Sequence, residues 1–166
     1  MNWSGLKVLV TGDASFIGSH LVERLVLSGA EVTVADNFSS GLRVNLGSVA
    51  DMITTYEGDL NDRSFAGQLM KDIDGVFHLT VNHGGRRYTS THPTECSSNM
   101  TIHVIVHEAA KDMGAEIVCH ASSACVCPQI LQSRDKAAGR EIQLSEDATD
   151  LFTEGKAFAK VVRQCR

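Results

Sequence analysis

The chain lacks the features that mark several protein classes. It has only two prolines and no low-complexity segment, which leaves its whole length for a folded domain. It has no run of about 18 consecutive apolar residues, so we expect no membrane-spanning helix. A formal net charge of −5 without any basic run argues against a nucleic-acid-binding surface. The 166 residues are enough for one domain with a hydrophobic core.

The N-terminus and the cysteines indicate a compartment. The first residues lack the basic start and the apolar stretch of a secretory signal peptide. Five cysteines, an odd number, are typical of reduced thiols in a chain without such a leader. We therefore expect a cytoplasmic protein with neither a membrane nor a nucleic acid as partner.

The most informative stretch covers residues 8–18, VLVTGDASFIG. An apolar run of strand length ends at Thr11 and Gly12, and from Phe16 the apolar residues recur at helical spacing. A strand, a glycine turn and a helix near the N-terminus are typical of a dinucleotide-binding βαβ unit. The free backbone N–H groups of the first helical turn bind pyrophosphate in such units, and glycines allow its close approach.

This motif departs from a pattern of three glycines. Gly12 and Gly18 are present, but Ser15 occupies the middle position and places a Cβ where close approach is needed. The Ser15 hydroxyl is a candidate phosphate ligand. Asp13 either puts a negative charge beside the phosphate or caps the helix N-terminus. An ordinary strand, turn and helix is the alternative interpretation of this stretch.

Strands and helices are predicted to alternate along the remaining chain. Further strands are expected at residues 31–36, 52–56, 75–79 and 116–121. Helices are expected at residues 61–71, 93–113 and from 151 onward, with a weak helix near 43–50. Polar loops are expected at 82–92 and over most of 129–149. Because the connections are too long for hairpins, we predict an α/β fold with a doubly wound parallel sheet, one dinucleotide-binding domain over residues 1–166.

The polar candidates all follow predicted strands, where a doubly wound sheet binds its ligand. They are Gly12, Asp36, Asp59, the loop around His83, and Ser122 with Ser123. Asp36 lies about the right distance after the glycine turn to bind a ribose, and with no arginine beside it we expect NAD rather than NADP. The alternative role of Asp36 is that of an ordinary turn-forming residue.

In this order the motifs resemble those of extended short-chain dehydrogenases/reductases of the NAD-dependent epimerase/dehydratase family, over essentially the whole chain. The resemblance implies a Rossmann-like fold, NAD as cofactor and a nucleotide sugar that is transiently oxidised during epimerisation. The cofactor-binding positions that it implies are Gly12, Ser15, Phe16, Ile17, Gly18, Asp36, Asn37, Asp59, Leu60, Leu79, Asn99 and Lys160. It implies substrate contacts at Gly84, Gly85 and Ser123 and catalytic roles for Ser123, Cys125 and Lys160.

Two details resemble one branch of this family. Gly84-Gly85 and Ser123-Ala-Cys125 are similar to segments of GDP-mannose 3,5-epimerases, where the glycines contact the sugar and the cysteine is an acid/base group. The resemblance therefore implies a GDP-mannose type of substrate. The helices from Pro93 and Leu151 correspond to those by which the family pairs, so we also expect a homodimer.

Simpler roles exist for several of these residues. Asp59 either contacts adenine or caps the next helix, and Ser123 is otherwise a strand-end serine bonded to backbone. Cys125 is otherwise a small core residue. Because Cys125 and Cys127 would point to opposite faces of a strand, no metal is expected. His103 and His107 share a helix face without an evident third ligand, so a structural or interface role is expected.

Two departures from the family affect the expected activity. The family's site ends in Tyr-x-x-x-Lys, but counting back from Lys160 the tyrosine position holds Lys156. Family members also continue with a substrate-binding lobe, whereas this chain stops at Arg166. We therefore expect a truncated domain without the lobe, inactive alone. The competing function is a nucleotide-binding module that has lost catalysis.

Overall fold

The computed structural model describes residues 2–82 and 86–121. Five parallel strands form one sheet in the order β3-β2-β1-β4-β5. The strands are β1 (Lys7–Thr11), β2 (Glu31–Asp36), β3 (Ile53–Glu57), β4 (Gly75–His78) and β5 (Ile117–His120). This arrangement confirms the predicted α/β fold, and its core strands consist largely of Val, Leu and Ala, as parallel strands buried on both faces require. That residues 1–166 form a single domain stays a prediction.

In the described part of the chain, four α-helices and one 3₁₀ helix connect the strands. They are α1 (Phe16–Leu27), α2 (Arg63–Leu69), α3 (Arg86–Thr91), α4 (Pro93–Asp112) and the 3₁₀ helix of Arg43–Met52. The expected polar loop at 82–92 was wrong in part, because α3 occupies residues 86–91. The expected weak helix near 43–50 is the 3₁₀ helix. Within the described residues, none of the helices is long and apolar enough to cross a membrane.

Each face of the sheet buries its own apolar cluster. On one face, Val8 and Val10 of β1 pack with α1 and the 3₁₀ helix. On the other face, Leu9 of β1 and Val76 of β4 pack with α2 and α4. The alternation along β1 places consecutive side chains on opposite faces, so this strand contributes to both clusters. Helices on both faces leave the carboxyl ends of the strands as the edge where polar residues gather.

The helix ends are set by local side chains. Asp62 caps α2 by accepting hydrogen bonds from the backbone N–H groups of Ser64, at 2.8 Å, and Phe65, at 3.3 Å. The alternative role considered for Asp59, capping this helix, is therefore wrong. Pro93 begins α4 at a position where its missing N–H costs no hydrogen bond. Gly29, with φ of 81°, ends α1.

Candidate functional site

The glycine turn lies where β1, β2 and β4 end. Gly12 has a φ of 72°, and its backbone N–H donates to the carbonyl of Ala35 at 3.0 Å. A Cβ at this position would lie 2.8 Å from the backbone nitrogen of Thr80. Both the backbone conformation and the close approach of the β4 end therefore require glycine.

Helix α1 begins directly after this turn with Ser15 as its N-cap. The Ser15 hydroxyl donates to the carbonyl of Gly12 at 2.8 Å and accepts from the N–H of Gly18 at 3.2 Å. The proposed capping role of Asp13 was therefore wrong. Because Ser15 already makes two local bonds, its hydroxyl stabilises the turn rather than standing free for a phosphate.

The first turn of α1 keeps unsatisfied backbone donors. The N–H groups of Phe16 and Ile17 have no acceptor inside the helix, because the first bond to a carbonyl four positions earlier runs from Ser19 to Ser15. Their side chains are exposed, by 78% for Phe16 and 71% for Ile17. A Cβ at Gly18 would lie 2.5 Å from the Gly12 carbonyl oxygen, so glycine lets the helix pack on the turn. Free backbone donors at a helix N-terminus are the features that anion sites use, which makes the start of α1 a candidate anion site.

Asp36 joins this site from the end of β2. Its Oδ2 accepts from the backbone N–H of Ala14 at 3.2 Å, and its Oδ1 accepts from that of Phe38 at 2.8 Å. Each carboxylate oxygen keeps a second lone pair for a further donor. The structure therefore fixes the Asp36 carboxylate beside the glycine turn with capacity for two hydroxyl groups. Asn37 is exposed, and its Oδ1 accepts from the N–H of Ser39 at 3.0 Å.

An arginine near Asp36 was missed by the sequence analysis. The guanidinium of Arg43 lies 3.9 Å from the centroid of the Phe38 ring and forms an ion pair with Glu57. Phe38 has a φ of 53°, a strained conformation for a residue with a Cβ. Glu57 is the β3 partner of Asp36 in the sheet register. Arg43 is thus held beside the candidate ribose site with its charge already paired.

Asp13 is the unexpected group of this site. It is fully buried, and within the described residues neither carboxylate oxygen has a hydrogen-bond partner. Burial raises the pKa of the Asp13 carboxyl to about 7, and the nearby Asp36 carboxylate acts in the same direction. At neutral pH this carboxyl is therefore protonated in part, so its charge beside a bound anion is smaller than the sequence indicates.

The remaining predicted cofactor residues occupy different places. Asp59 is exposed and accepts from the N–H and the side-chain amide of Asn61, both at 2.9 Å. Its segment reaches Asp36, since the N–H of Gly58 donates to the Asp36 carbonyl at 3.2 Å. The Leu60 side chain lies in the core, so only the backbone of this residue could contact a ligand.

Leu79 and Asn99 both hold the chain that leaves β4. The Leu79 N–H donates to the Thr11 carbonyl at 3.0 Å. The Asn99 side chain accepts from the N–H of Asn82 at 2.7 Å and donates to the Asn82 carbonyl at 3.0 Å. The contact that the structure gives Asn99 is therefore with the backbone at residue 82. Gly84, Gly85, Ser123, Cys125, Lys156 and Lys160 lie outside the described residues.

Comparison with known proteins decides the family. The family model described as the NAD dependent epimerase/dehydratase family matches residues 8–147. The chain belongs to this family. The family's cofactor agrees with the cofactor that the glycine turn and Asp36 predict. The resemblance to the narrower GDP-mannose branch has no counterpart in this match, which identifies the family as a whole.

Two of the similar proteins are named for nucleotide sugars bearing UDP. A UDP-glucose 4-epimerase of Mycolicibacterium smegmatis is 35% identical over 121 residues, which are 71% of this chain and 39% of that protein. The UDP-N-acetylglucosamine 4-epimerase of Methanobrevibacter ruminantium, solved with UDP-N-acetylmuramic acid, has a TM-score of 0.68 at 30% identity, covering 76% of this chain and 42% of that one.

A relative solved with the cofactor has the same fold. The UDP-glucose 4-epimerase of Thermus thermophilus, in complex with NAD, has a TM-score of 0.61 at 30% identity and covers 68% of this chain and 36% of that one. The chain thus spans about two fifths of the length of the relatives described here.

Proposed function

We propose that this chain binds NAD at the carboxyl ends of β1, β2 and β4, as the dinucleotide-binding part of a nucleotide-sugar epimerase or dehydratase. The observation that carries the proposal is the Asp36 carboxylate bonded to the backbone of the glycine turn at Ala14. From this position the Asp36 carboxylate would accept hydrogen bonds from the two ribose hydroxyls. The N–H groups of Phe16 and Ile17 would donate to the pyrophosphate. The part-neutral Asp13 supports the fit, because a full charge there would repel the phosphates.

NAD is favoured over NADP by the charges around Asp36. A 2′-phosphate would lie against the Asp36 carboxylate, which repels it. Arg43, the cation placed to compensate, is paired with Glu57. We therefore expect discrimination in favour of NAD.

The catalytic roles of the remaining residues follow from the family resemblance. NAD supplies the reversible oxidation of a sugar hydroxyl in this family. Ser123 would orient that hydroxyl, Cys125 would move a proton at the sugar ring, and Lys160 would bind the nicotinamide ribose. Lys156 replaces the tyrosine base, and its ammonium group is protonated near neutral pH unless it is desolvated. We therefore propose that the chain alone does not turn over.

The substrate proposal is a nucleotide sugar. The Gly84-Gly85 pair and Cys125 support the narrower GDP-mannose type, whereas the named relatives use UDP-sugars. A homodimer through α4 and a cytoplasmic location are further proposals; Met100 and Val104, exposed on α4, support the first. The second candidate function, a nucleotide-binding module without catalysis, is favoured by Lys156.

Calorimetry with NAD and NADP tests the cofactor proposal. We expect NAD to bind more tightly than NADP to the wild type, and Asp36→Ala to weaken NAD binding by about tenfold or more, since two hydroxyl partners are lost. Asp51→Ala is the matched control, an exposed carboxylate of the 3₁₀ helix, and we expect no change. Equal affinity for NAD in the wild type and Asp36→Ala would refute the proposed site.

Turnover separates the two candidate functions. The chain is incubated with NAD and a panel of UDP- and GDP-sugars while reduced cofactor and epimerised product are measured. We expect no product, and for Lys156→Tyr we expect reduced cofactor only when the chain is extended with a family substrate lobe. The result against this proposal would be turnover by the unmodified chain that is abolished in Lys156→Ala. Lys156 would then be catalytic, and its replacement of the tyrosine would not mark a loss of catalysis.

A further inference from the structure

Four of the seven histidines form a cluster on the sheet face covered by α4. His78 ends β4, His120 ends β5, and His103 and His107 lie one turn apart on α4. The ring centroids of His78 and His103 are 4.8 Å apart, and those of His103 and His120 are 5.0 Å apart. His107 completes the group at 5.6 Å from His120 and 6.4 Å from His78.

The rings pack against one another rather than around a common point. His78 meets both α4 rings edge to face, whereas His103 stacks on His120 at 16°. In residues 2–82 and 86–121 no group of three or more side chains is arranged to hold a metal ion. Within the same residues His78 Nε2 and His103 Nδ1 are buried without a hydrogen-bond partner. The cluster is therefore a set of imidazoles packed directly against one another.

The surroundings of the cluster disfavour any positive charge. Burial lowers the pKa of His78 to about 3, and His103, His107 and His120 lower it further. Burial and the neighbouring imidazoles also lower the pKa of His103 and of His120. Among the charged side chains nearest along α4, Glu108 pairs with Arg63 of α2, and Lys111 is exposed. Neither carries a free negative charge that would stabilise a protonated ring.

One hydrogen bond connects this cluster to the glycine turn. His78 Nδ1 and Thr11 Oγ1 share a buried bond of 2.7 Å. Thr11 directly precedes Gly12, and its carbonyl accepts from the N–H of Leu79 at 3.0 Å. The backbone at Leu79 and Thr80 in turn lies against Gly12 so closely that a Cβ would not fit. His78 therefore holds the two strand ends between which the turn is formed.

We propose that the histidine cluster is a proton-sensitive support for the glycine turn, which holds the turn in place only while the imidazoles of His78, His103 and His120 are neutral. Acid favours any state in which the cluster opens and water reaches the rings, because opened histidines bind protons that the packed ones exclude. The junction of Thr11, Gly12 and Leu79 loosens as a result. The consequence for the ligand rests on the proposed function: opening of the cluster weakens NAD binding as the pH falls below about 6.5.

Native-state amide hydrogen exchange of the full chain measures this opening directly. Acid also protonates the Asp13 carboxyl, which favours the closed turn, so the expected result is a difference between variants. From pH 7.5 to pH 5.5 the protection of the Gly12 and Leu79 amides, corrected for the intrinsic exchange rate, should fall at least about tenfold further in the wild type than in His78→Asn. The factor of about ten per histidine follows from the ordinary histidine pKa of 6.5 in the opened state. His78→Asn keeps a side-chain amide for the bond to Thr11 but does not titrate, so its fall should be about tenfold smaller.

His92→Gln is the matched control, because His92 stacks on Tyr88 outside the cluster. We expect this variant to lose as much protection in acid as the wild type does. The proposal is overturned if the ratio of protection at pH 7.5 to protection at pH 5.5 is the same in His78→Asn as in the wild type. Should His78→Asn fail to fold, the half-buried His120→Gln is judged by the same criterion.

Calorimetry with NAD at the same two pH values tests the link to the ligand. We expect the wild type to lose more affinity in acid than His78→Asn does. Equal losses would overturn the link. Absence of NAD binding at pH 7.5 would instead refute the proposed function, while the exchange measurement would still decide the role of the cluster.

Discussion

The glycine turn and the end of β4 each bury an ionisable group without satisfying it. Asp13 and His78 are at most 1% exposed, and within the described residues both Asp13 oxygens and His78 Nε2 have no partner. Burial raises the pKa of Asp13 to about 7 and lowers that of His78 to about 3, so both groups are held toward neutrality. The difference lies in the response to acid: the same drop in pH favours the folded state at Asp13 and disfavours it at His78.

The largest effect is expected where the two regions meet, from Gly12→Ala. The added Cβ would lie 2.8 Å from the Thr80 nitrogen, at a φ of 72° that alanine avoids. We expect the free energy of unfolding to fall by more than about 3 kcal/mol, measured by urea denaturation. In the control Gly67→Ala the Cβ meets nothing within 4 Å, and a gain of up to about 1 kcal/mol is expected from helix propensity. Similar free energies of unfolding for Gly12→Ala and Gly67→Ala would show that the turn accommodates a Cβ with little strain.

Asp13→Asn removes the buried ionisable group of the glycine turn. The folded pKa of Asp13 is raised from 3.8 to about 7, so its contribution to stability is complete below pH 3.8 and is lost as the pH rises through about 7. We expect the variant to be more stable than the wild type at pH 8, by roughly 2 to 4 kcal/mol, and to lose this advantage in acid.

His78→Asn removes the buried ionisable group at the end of β4. Its free energy of unfolding is measured over the same pH range as that of Asp13→Asn. The folded pKa of His78 is lowered, so its contribution is complete above pH 6.5 and is lost as the pH falls toward about 3. The two variants should therefore change the pH dependence of unfolding in opposite directions. If both variants changed the pH dependence of unfolding in the same direction, Asp13 and His78 could not both be held in their neutral forms in the folded state.

Glu57→Gln tests whether Arg43 is the latent cation of the ribose site. With its partner neutralised, the guanidinium is free to meet a 2′-phosphate, and we expect NADP affinity to rise several-fold, about 3 to 10, without a change for NAD. Glu108→Gln breaks a similarly exposed ion pair, with Arg63, and should alter neither affinity. Calorimetry measures both. An unchanged NADP affinity in Glu57→Gln would show that Arg43 does not reach the phosphate.

The smallest effect is expected at Ser15. Ser15→Gly restores the third glycine and loses the N-cap hydroxyl, which costs only a few tenths of a kcal/mol because glycine is tolerated at this position. We expect NAD affinity to rise a few-fold as the Cβ is removed. Ser15→Ala loses the same hydroxyl, keeps the Cβ and should be destabilised by about 1 kcal/mol without any gain in affinity. Equal affinities in both variants would exclude a steric role for the Cβ.

The fold was predictable because its determinants are local. The apolar run of β1, the helical spacing after Phe16 and the glycines of the turn lie within one short stretch, and periodicity and turn chemistry are read from neighbouring residues. Residue identity also placed Asp36 at the end of a strand, and the structure adds its bonds to Ala14 and Phe38.

The site's charges and partners were less predictable because they depend on distant residues. Arg43 and Glu57 are 14 positions apart, and Thr11 and His78 are 67 positions apart. The His103 and His107 pair was recognised on one helix face, but the neighbouring rings come from β4 and β5. The sequence suggested Asp13 as an N-cap, whereas the structure has Ser15 there, two residues later. The start of α1 is a local question, but periodicity does not resolve a shift of two residues.

The strand order has a consequence for the way the chain folds. Among the five described strands the central one, β1, comes first along the chain, and its partner on one side, β2, follows after a single helix. Its partner on the other side, β4, must return across a sequence separation of 67 residues, where the backbone and carboxylate of Asp74 bond to the backbone of Lys7. Such long-range pairing is slow because the loop entropy is lost before the contacts form. During synthesis one edge of β1 therefore stays unpaired until β4 has been made. The glycine turn acquires its final shape only when β4 pairs with β1.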